Sequence, residues 1–101
     1  MPLTYSLTLT GVEEPVKMEV ILPTTWHGVY LYTGDFKYGN SNYHVRISKQ
    51  GDGLFSGYIY LGNGPRSTTF AKAEHLPFDQ IDRKLDESWL EKITTEEKQK
   101  D

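Results

Sequence analysis

Tyrosine, histidine and arginine are the residues whose types and spacing in this chain suggest chemistry. Tyr30 and Tyr32, His44 and Arg46, and Tyr58 and Tyr60 all fall at even positions of three consecutive candidate strands. Beside them, at odd positions, stand Val29 and Leu31, Val45 and Ile47, and Ile59 and Leu61, an ordinary core set. Because side chains alternate across a pleated strand, pairing these strands side by side would gather four tyrosines, one imidazole and one guanidinium on one surface. Aromatic rings beside an arginine are what single-stranded nucleic-acid binders use to stack bases. The same residue types also anchor protein interfaces, because they supply contact area and hydrogen bonds together. The competing explanation is cross-strand packing, each aromatic pair contributing roughly 0.2–1 kcal/mol without any ligand.

Other chemistry finds less support. His27, His44 and His75 sit in three different predicted elements, and the chain has no cysteine to complete a zinc site. No metal and no cofactor is expected. Ser56 lies in 53–57, which lacks the Gly-x-Ser-x-Gly pattern of a nucleophile elbow. Asp35 and Asp52 read as turn residues, not paired acids. The stretch 62–68 lacks the Gly-Lys-Ser/Thr ending of a phosphate loop, and Pro65 removes a backbone donor. An enzyme is therefore not expected.

The elements that must carry the tyrosine face are legible from periodicity. Leu3, Tyr5, Leu7 and Leu9 alternate with polar residues, and Val16, Met18, Val20 and Leu22 do the same after a turn at 11–15. A loop at 24–28 holds Trp26 and His27, and a strand follows at 29–33. Residues 34–42, around Phe36 and Tyr38, read as a long loop or a short extra strand. Asp52-Gly53 marks a hairpin between strands at 43–49 and 54–61. A last strand is expected at 66–73. From Pro77 the period changes: Ile81, Leu85, Trp89 and Ile93 recur every four residues, as in an amphipathic helix with Asp79 as N-cap and an Asp79–Arg83 pair. A second helix start at Ser88 fits a capping box with Glu91.

The expected fold is α+β: a bent antiparallel sheet or small open barrel of about six strands in a meander, followed by a C-terminal helical segment. At 101 residues it forms one domain, with a β-rich body at 1–74, a helical segment at 77–95 and a charged tail at 96–101. The body holds six basic and six acidic residues, so the whole net charge of −3 lies in the remainder. That balance is poor for nucleic acid, whose affinity comes largely from neutralised phosphates. No apolar run is long enough to span a bilayer and no leader pattern is present, so a cytoplasmic location without membrane attachment is expected.

The functional expectation is a small non-catalytic module that binds another protein, as an inhibitor, adaptor or accessory subunit. A phage- or plasmid-encoded inhibitor of a host system is among those roles. The alternative is a single-stranded nucleic-acid binder using Tyr30, Tyr32, Arg46, Tyr58 and Tyr60. The expected binding residues are Tyr30, Tyr32, His44, Arg46, Tyr58 and Tyr60, with a rim of Trp26, His27, Phe36 and Tyr38. An exposed edge strand would also allow a homodimer.

Overall fold

Residues 4–21, 31–49, 52–62 and 68–99 are described by a computed structural model of the protein. Six strands precede one helix: β1 (Thr4–Leu7), β2 (Val16–Ile21), β3 (Leu31–Tyr38), β4 (Ser41–Lys49), β5 (Phe55–Leu61), β6 (Thr68–Leu76) and α1 (Phe78–Gln99). The strands form one sheet in chain order, each antiparallel to the next. This is the α+β meander with a C-terminal helix that the periodicity implies.

Several boundaries differ from expectation. The stretch 34–42 is neither a loop nor a separate strand, because Gly39 and Asn40 turn the chain and leave 31–38 and 41–49 as two long arms. Gly39 sits at φ +62°, a conformation that glycine adopts without a Cβ penalty. The strand expected at 66–73 runs from Thr68 to Leu76. No second helix begins at Ser88, since α1 is continuous and extends through most of the expected tail. Asp79 lies inside its first turn instead of capping it, where its charge still favours the helix N-terminus. Among the described residues the ion pair within the helix joins Lys84 and Glu87 at 3.6 Å, not Asp79 and Arg83.

Loop length decides which side chains share a face. The two-residue turn at 39–40 pairs Tyr38 with Ser41 and Tyr32 with Ile47, so even positions of β3 lie beside odd positions of β4. The longer connection between β4 and β5 pairs Lys49 with Phe55 and His44 with Tyr60, and there the parity is kept. Tyr32 therefore faces the core with Val45, Ile47 and Ile59, all of them fully buried. Two irregularities break the β5–β6 ladder. Opposite Ile59 and Tyr60, β6 carries Phe70 as an extra residue, and opposite Ser56 it carries His75 at φ +57°.

α1 covers the core side of the sheet. Ile81, Leu85 and Trp89 are fully buried and Ile93 nearly so. The Trp89 ring stands at the centre of an aromatic group, 5.1–5.3 Å from the rings of Tyr43, Tyr38, Phe36 and Phe70. Phe78, in the first turn, packs on Tyr5, Tyr32 and Phe55. The helix also ties down both edges. Thr10, just beyond β1, donates from its N–H and its hydroxyl to the Asp86 carboxylate at 2.7 and 2.9 Å, and its carbonyl accepts from Trp89 Nε1–H at 2.9 Å. At the other edge the Lys72 N–H donates to Ser88 Oγ at 3.2 Å. A sheet whose first and last strands both reach one helix must bend around it. No helix among the described residues is long and apolar enough to cross a membrane.

Candidate functional site

The face opposite α1 carries polar and aromatic residues from four adjacent strands. The register sets them in two rows, with Thr33, Arg46, Tyr58 and Lys72 in one. Asp35, His44, Tyr60 and Thr69 form the other. β-branched and aromatic residues suit such a surface, since each ring rests on the pleat beside its cross-strand neighbour. Tyr58 and Tyr60 stack at 6.1 Å, and Tyr60 stacks on His44 at 6.4 Å.

Beneath the rings runs a chain of hydrogen bonds. Arg46 Nε–H donates to His44 Nε2 at 3.2 Å, and His44 Nδ1 lies 2.8 Å from Asp35 Oδ1. A guanidinium can only donate, so Nε2 must accept, and the imidazole is neutral with its proton on Nδ1 facing Asp35. His44 is buried whereas the Asp35 side chain is 74 % exposed, so the chain leads from the sheet surface outward. Both ring nitrogens are engaged, which leaves no lone pair on His44 for a substrate.

A second set lies toward β6. The Tyr58 hydroxyl donates to Glu74 Oε2 at 2.6 Å, and Lys72 Nζ sits 3.4 Å from Glu74 Oε1. The hydrogen bond to Glu74 is the main reason that the Tyr58 phenol is pushed up to about 12. The same bond, helped by Lys72, holds the Glu74 carboxyl below the usual carboxylate range. On β2 of this side Lys17 and Glu19 form a similar exposed pair at 3.5 Å.

Four of the ten residues expected to bind come together here: His44, Arg46, Tyr58 and Tyr60. Tyr32 is corrected to a core residue, with its ring 4.9 Å from Tyr5 and 5.9 Å from Phe78. Phe36 and Tyr38 do not form an exposed rim, because both lie in β3 and pack edge-on against Trp89. Trp26, His27 and Tyr30 lie outside the described residues. Asp35, Lys72 and Glu74 belong to the site but were not anticipated. Asp35 looked like a turn residue, and the signal that places it in a strand is the Gly39-Asn40 dipeptide, a two-residue hairpin turn. Asp52 keeps its turn role, accepting from the Leu54 N–H at 2.9 Å. Among the described residues no cluster of three His, Asp or Glu side chains could hold a metal ion.

No family model, no curated protein and no solved structure matches this chain.

Proposed function

We propose that the protein is a small non-catalytic module that docks another protein on the sheet face opposite α1, acting as an inhibitor, adaptor or accessory subunit in the cytoplasm. The observation that carries this reading is the position of Arg46, Tyr58 and Tyr60. They stand half-buried on the side of the sheet that α1 leaves open, while the apolar side is filled. Tyrosine and arginine held in place by neighbours lose little freedom on binding, which is what an interface anchor requires. The engaged nitrogens of His44 speak against a general base at this site.

The stacked Tyr58, Tyr60 and His44 rings also favour a second reading, a single-stranded nucleic-acid binder. Charge ranks it behind the first. Lys17 and Lys72 are each paired with a glutamate on the same face, which leaves few cations for phosphates.

One pair of substitutions separates these readings from a purely structural role. Replacing Tyr58 and Tyr60 together by Ala should abolish capture of a protein partner from cell extract while the melting temperature stays within a few degrees of wild type. Retained capture by the variant would move the interface elsewhere. Binding of mixed-sequence single-stranded DNA or RNA at low salt, lost in the same variant, would favour the second reading instead.

A further inference from the structure

Among the described residues Arg46 and Lys37 are cations of this face without an acidic partner, and of the two Arg46 is the one held by a neighbouring side chain. Lys17 is matched by Glu19 and Lys72 by Glu74, but Arg46 meets only the neutral imidazole of His44. Its position is fixed from behind. Asp35 holds the Nδ1–H of His44, and His44 Nε2 holds the Arg46 Nε–H, so one edge of the guanidinium is committed. Across the strands Arg46 is flanked by Thr33 on β3 and Tyr58 on β5. What remains is the pair of Nη groups, a planar fork with the geometry of a carboxylate.

We propose that Arg46 is the anchor for a single acidic side chain, aspartate or glutamate, of the docked protein, and that Asp35 and His44 are its positioning residues. This rests on the protein-docking reading of the same face. The occupant follows from the charge count. A carboxylate carries one negative charge and needs one bidentate donor, which Arg46 supplies. A nucleic-acid strand brings a charge at every phosphate and would need several free cations, whereas Lys17 and Lys72 are already paired with glutamates and Lys37 alone is left beside Arg46. The stacked Tyr58 and Tyr60 rings border the guanidinium on one side and would exclude water from the pair, as neutral contacts do around an interface anchor.

The test is a titration of the whole protein with pentaglutamate, followed by the side-chain Nε–H resonance of Arg46 and the ring resonances of Tyr58 and Tyr60. Pentaglutamate should shift these signals in wild type, and R46Q should weaken the binding about tenfold or more, the loss expected for one charge-assisted pair. D35A should also weaken it, while D35N, whose oxygen can still accept from His44, should restore it. A merely structural role for Asp35 would move the melting temperature without this rescue. The wild-type shift of the Arg46 signal requires no variant to fold. Absence of that shift overturns the proposal, as does a shift produced by an oligothymidylate and not by pentaglutamate. If R46Q still captures the protein partner and the Tyr58, Tyr60 double variant does not, the carboxylate anchor is wrong while the docking face stands.

Discussion

At the scale of single residues, two carboxylates of the fold are tuned in opposite directions. Asp82 sits on α1 beneath Tyr5, whose hydroxyl donates to it at 3.5 Å, and burial pushes its carboxyl above the ordinary range although that hydrogen bond pulls the other way. Its protonated form is therefore favoured by folding. The stability this gives is complete below the unfolded-state value and is lost as pH rises through the raised one. Glu74 behaves inversely, since its lowered value gives stability that is present above the ordinary carboxylate range and disappears as pH falls through the lowered value. Asp82→Asn keeps an oxygen for Tyr5 and removes the charge, so the variant should melt above wild type at neutral pH. The difference should shrink as pH falls through the carboxylate range. Calorimetric melts at a series of pH values would show it, and a wild type that stays the more stable at neutral pH would count against the burial argument.

Elements are where reading from the sequence succeeded and where it failed. Period-two alternation and the four-residue recurrence of Ile81, Leu85, Trp89 and Ile93 are properties of one element at a time, so the meander and the covering helix were both legible. Which strands share a face is a property of the turn between them. With 34–42 read as a long loop or a short extra strand, nothing sets the phase of β3 against β4, and matching even positions puts Tyr32 on the wrong side. Recognising Gly39-Asn40 as the turn would have reversed that assignment and brought Asp35 beside His44. Glycines inside strands also mark close approaches that no pattern shows. A Cβ on Gly34 would lie 2.7 Å from the Lys17 carbonyl and from Met18 Sδ. One on Gly57 would meet the Leu85 Cδ2 methyl at 3.2 Å. The first obstacle includes backbone and the second is the end of a movable side chain. Gly34→Ala should thus cost about 1–3 kcal/mol, the usual range for overpacking, and Gly57→Ala less. Chemical denaturation would rank the two, and the reverse order would show that β2 yields more easily than α1.

For the molecule as a whole, one helix supplies most of what closes the structure. Trp89 fills the centre of the aromatic core, Asp86 holds the end of the first strand, and Ser88 takes the free N–H of the last. Trp89→Ala should therefore cost about 3–5 kcal/mol, a large share of the stability of a domain this size. The Ser88 contact also bears on self-association, because it takes the Lys72 N–H of the edge strand, and that contact and the two irregularities of β6 are features that hinder pairing with a second copy. A chain ending at Pro77 should bind a hydrophobic dye and melt without a cooperative transition, and a separate peptide of residues 78–101 should reverse both at sufficient concentration. A sharp melt of the shorter chain would show that the sheet closes unaided. The order of the elements gives this dependence a direction in time. All six strands leave the ribosome before their cover does, so a nascent sheet presents its oily side to the cell until the final helix is translated, and the interval is one in which chaperones have something to hold.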